Sequence, residues 1–261
     1  MSKILKSIRF LIGLFIIYLI SGVIAVGILS IFNKDLTESN QYKYLVIFII
    51  NLITLILLSL IYSAFRNSLL TKTCFRHVSF KNITYVALLG IGITIVVSYL
   101  ISVLLSLIPN YLNSYYADIQ VITEITNNSP IQVVFITILI PIYEEIFFRG
   151  VIFEHFKKNY NIISATILQA LVFGLVHGIG IQLISSFIFG IALGLIYIRY
   201  NSLVANSVLH MIINSMVLII NTGLISSSYI VHFISVIVAI ICLIFSIYKI
   251  TRKDNNNYEN A

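Results

Sequence analysis

The chain has 261 residues, of which 59% are hydrophobic and only 10% charged, and its mean hydropathy is +1.04. A soluble domain carries roughly one-quarter charged residues, so the composition excludes a water-soluble enzyme and calls for an integral membrane protein seated in the lipid bilayer. The formal charge of +7 is not a nucleic-acid footprint, because the basic residues flank apolar runs instead of clustering with stacking aromatics.

In chain order, apolar runs at 8–32, 42–65, 83–108, 131–156, 161–177, 181–199, 202–220 and 228–250 predict eight helices. The runs are rich in Ile and Val, but a backbone in hydrocarbon must satisfy its own hydrogen bonds, so helix overrules β-propensity. The expected fold is therefore all-α, a polytopic membrane helix bundle of about eight transmembrane helices. The opening "MSKILKSIRF" has the charge pattern of a signal peptide, but the apolar stretch behind it exceeds the 7–15 residues of a signal core, and it reads as a retained first span. The stretch "PNYLNSYYADIQVITEITNNSP" at 109–130 carries three tyrosines and two acids and reads as a segment lying in the headgroup zone. The tail "TRKDNNNYENA" reads as disordered and solvated. Cys74 and Cys242 stand far apart without a motif, which argues against a disulfide framework or a cysteine metal site.

Eight spans return the C-terminus to the side of the N-terminus. With both termini in the cytoplasm, fourteen of the sixteen basic residues fall inside, leaving only Lys34 and Lys43 outside together with Asp35, Glu38, Asp118 and Glu124. This asymmetry follows the positive-inside rule. The chain then divides into 1–130 (three spans and an outer segment), 131–220 (a polar-bearing core), 221–250 (the last span) and the cytoplasmic tail 251–261.

Three places set ionisable groups inside predicted spans. In "EEIFFR", Glu145 and Arg149 are four apart and share a helix face, while Glu144 points about 100° away. In "FGLVH", Phe173 and His177 share a face, and in "HMIIN" His210 and Asn214 do, with Asn206 one turn earlier. A lone charge at mid-bilayer costs about 2.5–3.5 kcal/mol on insertion scales, so such groups pair or line a wet cavity. Glu145 and Arg149 can pair; Glu144 is left for chemistry. A carboxylate that exchanges a proton with water suits a general base, His177 can share that water, and His210 with Asn214 can donate to an oxyanion. These parts fit hydrolysis of an amide. The plain alternatives are a packing hydrogen bond for His177 and a structural ion pair for Glu145 and Arg149. Asn51 and Gln169 read as helix-to-helix glue, and "GLVHG" and "GIALG" as small-residue patterns for close helix approach.

In order and spacing, "EEIFFRG", "FGLVH" and "HMIIN" resemble the three motifs of the CPBP family of intramembrane proteases, which includes CAAX-processing prenyl endopeptidases and bacterial proteins linked to bacteriocin maturation or self-immunity. The resemblance implies an intramembrane endopeptidase acting on a membrane-associated peptide or protein, with Glu144 as the base on water, Glu145 and Arg149 holding the geometry, His177 binding the water, and His210 with Asn214 stabilising the oxyanion. The family is described both as glutamate-dependent and as metalloprotease. Glu144, His177 and His210 would be the ligands if zinc is used, although "EExxxR" lacks the "HExxH" spacing, and an obligatory metal is not expected.

A non-catalytic bacteriocin-immunity or membrane binding protein is the runner-up, and a proton-relaying transporter the third possibility. The Asn-, Ile- and Tyr-rich composition points to a low-GC bacterium and its cell membrane; no residue pattern specifies the substrate or an oligomeric state. One geometric conflict stands. If the fourth span starts outside at 131 and the fifth inside at 161, straight helices put Glu144 deep and His177 near the outer surface, too far apart to share a water. Either Pro141 kinks the helix, or the 157–163 connection dips into the membrane, or the boundaries shift.

Overall fold

The computed structural model describes residues 2–32, 40–64, 75–108, 112–221 and 229–252. Cys74 and the tail from 253 onward, like Lys34, Asp35, Glu38, Arg66 and Lys72, lie outside the described residues. Nine helices are present among them: α1 (Lys3–Phe32), α2 (Lys43–Ala64), α3 (Phe80–Leu107), α4 (Leu112–Asn128), α5 (Pro130–Asn159), α6 (Ile162–His177), α7 (Ile181–Tyr200), α8 (Leu203–Asn221) and α9 (Tyr229–Thr251). The only extended pairing described is an isolated bridge between Phe75 and Ser202. Eight of these helices are the predicted apolar runs, each within a few residues of its expected bounds. Seven are long and apolar enough to cross a membrane, and α6, at 16 residues, is shorter. The protein is a multi-pass membrane helix bundle.

The ninth helix, α4, occupies the segment expected to be an interfacial connection between spans. Ile119, Ile122 and Ile125 recur every third residue, which is a helical period. Ile125 joins Tyr44, Phe135 and Ile140 in a small apolar cluster of its own.

α1 packs on α2, α3 on α8 and α9, and α6 on α7, while α5 runs against α2, α6, α7 and α8. Side-chain bonds tie the helix ends to one another. Ser7 of α1 donates to the Tyr160 hydroxyl (3.3 Å), Ser202 to the Arg76 carbonyl (2.6 Å), and Arg199 to the Ile250 carbonyl (2.7 Å). Each joins two positions expected on one face of the bilayer. On the opposite face the Tyr44 amide donates to Gln132 Oε1 (3.0 Å).

Small residues set the closest approaches. A Cβ on Gly190 would lie 3.0 Å from Ala170 Cα, so α6 and α7 touch backbone to backbone there. Gly178 was expected to belong to a helix-packing pattern; instead it follows the end of α6 with φ 146°, and Gly180 has φ 74°. The short α6–α7 turn needs backbone that only glycine adopts without strain.

Candidate active site

α5 carries the two acids and is not a plain α-helix. Phe135–Leu139 and Ile146–Phe153 are π-helical turns on either side of the Glu144–Glu145 pair, a feature concentrated at functional sites. The first has a local cause. In the π register the Ile140 amide reaches back five residues to the Phe135 carbonyl, so the next bond would run from residue 141 to the Ile136 carbonyl. Residue 141 is proline and has no N–H. Asn214 of α8 supplies the missing donor, with Nδ2 2.9 Å from the Ile136 carbonyl.

Behind the acids lies a closed polar core. Arg149 and Glu145 have fully buried side chains and meet at 2.9 Å, Nη1 to Oε1. The same oxygen accepts from His210 Nδ1 at 2.8 Å, and Oε2 accepts from Asn206 Nδ2 at 3.0 Å. Arg149 also donates to the Gly190 carbonyl at 3.4 Å and lies 5.1 Å over the Phe173 ring. Gln169 donates to that carbonyl at 2.8 Å, joining α6 to α7 as helix glue. A buried carboxylate is tolerated only when its lone pairs are met, and here donors from α5 and α8 meet them.

In front of this core, Glu144 retains 17% exposure and His177 30%. His177 Nδ1 lies 2.8 Å from the Phe173 carbonyl. A carbonyl only accepts, so Nδ1 carries a proton, and Nε2 faces Glu144 Oε1, 3.8 Å away. His210 Nε2 lies 3.4 Å from Glu144 Oε2. At 3.8 Å there is no direct hydrogen bond, but one water bridges such a gap.

Zinc would require both histidine Nε2 atoms and one carboxylate oxygen at about 2.0–2.2 Å from a common point. Among the described residues no group of three or more His, Cys, Asp and Glu is already gathered as a metal site; Glu144, with a different oxygen towards each ring, His177 and His210 are the residues that would hold such an ion.

Glu144, Glu145, Arg149, His177 and His210 thus converge. Asn214, one turn beyond His210 on α8, has one of its two N–H groups committed to the α5 backbone at Ile136. The depth conflict between Glu144 and His177 disappears. Glu144 is 15 residues from Asn159, and His177 is 15 from Ile162, which is about 22 Å of helix from the shared turn in both cases. Measuring α5 and α6 from opposite membrane surfaces created the conflict, and α6 is too short to reach the far one. One residue absent from the expected site also belongs here, Asn206; Tyr18 of α1 and Tyr143 are within electrostatic reach of Glu144. Asn206 was legible from its four-residue spacing to His210, but Tyr18 had no local signal.

Residues 126–216 match a family model described as Type II CAAX prenyl endopeptidase Rce1-like. No curated protein and no solved structure matches the chain.

Proposed function

We propose, from the match of residues 126–216 to the Rce1-like CAAX endopeptidase model, that the chain is an intramembrane protease that cleaves a membrane-associated peptide or protein precursor by Glu144-activated water. The observation that carries the reading is the convergence of two imidazole Nε2 atoms on a half-open carboxylate, at 3.4 and 3.8 Å, beside a second carboxylate that is wholly buried and neutralised.

Glu144 takes a proton from water held between its carboxylate and the His177 Nε2 lone pair. The resulting hydroxide attacks the scissile carbonyl carbon. Negative charge develops on the carbonyl oxygen, and the donors at hand are the second N–H of Asn214 and His210 when it is protonated at Nε2. The C–N bond then breaks as Glu144 returns its proton to the leaving amine. Glu145 takes no part in proton transfer; it keeps His210 oriented, as the buried acid does in a hydrolytic triad. No step is routed through a metal. In this proposal both termini are cytoplasmic, following the distribution of basic residues.

The test is peptide release by the purified full chain in detergent, from internally quenched peptides comprising a farnesylated CAAX peptide and unmodified apolar leader peptides. Wild type cleaves, Glu144→Gln does not, and a chelator leaves the rate unchanged. Full activity in Glu144→Gln refutes general-base catalysis by this residue. Loss of activity with chelator moves the chemistry to a metal held by Glu144, His177 and His210.

A further inference from the structure

Asn206 lies outside all three motifs, yet it is fully buried and its Nδ2 is shared between Glu145 Oε2 at 3.0 Å and the Leu193 carbonyl at 2.8 Å. Both partners only accept, so the amide must turn its nitrogen to them; a flipped amide would set oxygen against two oxygens. In consequence its own Oδ1 is buried without a hydrogen-bond partner. An unmet buried acceptor is destabilising, and packing alone would favour an apolar residue of the same shape. What an uncharged amide supplies at this position is a pair of N–H groups, one for the α7 backbone and one for the buried acid.

The consequence follows from how Glu145 is held. Its Oε1 already accepts from Arg149 and from His210 Nδ1, and Oε2 accepts from Asn206. The terminal torsion of a glutamate is broad. Without Asn206 the carboxylate plane can turn, and the oxygen that holds the His210 ring turns with it. We propose that Asn206 is a positioning residue: through Glu145 it fixes the ring orientation and the Nδ1 tautomer of His210, and it ties both to the backbone of α7 at Leu193. The catalytic consequence rests on the proteolytic reading above; the geometric one stands without it.

Two readouts separate these. The first is nitrogen-15 NMR of histidine-labelled full chain in micelles, with the His210 signals identified by their loss in His210→Gln. Wild type has a protonated, slowly exchanging Nδ1; in Asn206→Leu that resonance shifts or broadens. The second is cleavage of the same quenched peptides. Asn206→Leu lowers kcat by about 10–100-fold, as for loss of a group that orients an active-site ligand, and leaves KM within about twofold. Asn206→Asp keeps the shape but sets an oxygen against Glu145, and kcat falls likewise. Retention on gel filtration and thermal unfolding report on folding in both variants. Lowered unfolding temperature with an unchanged His210 resonance and unchanged kcat overturns the proposal in favour of simple helix glue, and so does full activity in Asn206→Asp. If wild type cleaves no peptide, the proteolytic reading fails, and the His210 resonance alone decides the role of Asn206.

Discussion

The two neighbouring acids occupy opposite worlds. Glu145 has no exposed surface and hydrogen-bonded partners on both oxygens, from Arg149, His210 and Asn206. Glu144, one residue earlier, is 17% exposed and has only two long contacts, to imidazole nitrogens. The closed half is built as a buried ion pair must be, with its lone pairs met; the open half is left unmet, as a group that handles water must be. Adjacent residues on a helix point about 100° apart, and that rotation is what lets one dipeptide serve both purposes.

The comparison breaks most sharply if the two halves respond alike. Glu144→Gln is expected to lower peptide release by about 10²–10⁴-fold with little change in thermal unfolding, since no partner of Glu144 depends on it for burial. Arg149→Leu leaves Glu145 buried and unpaired, and is expected to destabilise the bundle by about 3–5 kcal/mol, measured by thermal unfolding in detergent. The double variant Glu145→Leu with Arg149→Leu removes both charges, so it should regain stability over Arg149→Leu while remaining inactive. If it does not, the pair contributes more than mutual neutralisation.

A finer contrast concerns Asn214, which serves the backbone of α5. Asn214→Ala is expected to cost about 1–3 kcal/mol through the unmet Ile136 carbonyl. In a Pro141→Ala background, where residue 141 recovers its N–H, the same substitution should cost less, and a double-mutant cycle on unfolding temperatures measures the difference. An additive cycle would sink the account of Asn214 as the stand-in donor. The smallest effect is expected at Tyr18: Tyr18→Phe removes a hydroxyl within electrostatic reach of Glu144 and should change kcat/KM by no more than about tenfold. A loss as large as that of Glu144→Gln would move α1 from the wall of the site into its chemistry.

Much of this was legible in advance. Eight helices followed from run length and hydropathy, because in hydrocarbon those two properties leave the backbone no alternative. The pairing of Glu145 with Arg149 followed from four-residue spacing, and Gln169 as interhelical glue from its embedded position. The α4 helix was missed because its tyrosines and acids outweighed a threefold recurrence of isoleucine. Gly178 was assigned to helix packing because spacing alone does not reveal a φ of 146°. Pro141 was visible as a possible kink, but nothing near it in sequence shows that a donor 73 residues later takes the place of its missing N–H.

By itself, the sequence determined that the chain is a helical membrane protein, that its embedded ionisable residues fall on the faces of three of its helices, and which acid has a charge partner within its own turn. These are matters of composition and of helical period, both local. Only the tertiary structure decided that His177 and Glu144 lie level across the α5–α6 turn, that His210 stands between the two acids, that Asn206 completes the shell of Glu145, and that Tyr18 of α1 comes within electrostatic reach of Glu144. Such placements depend on helix lengths, crossing contacts and the reach of side chains between segments far apart in the chain, and no local pattern encodes them.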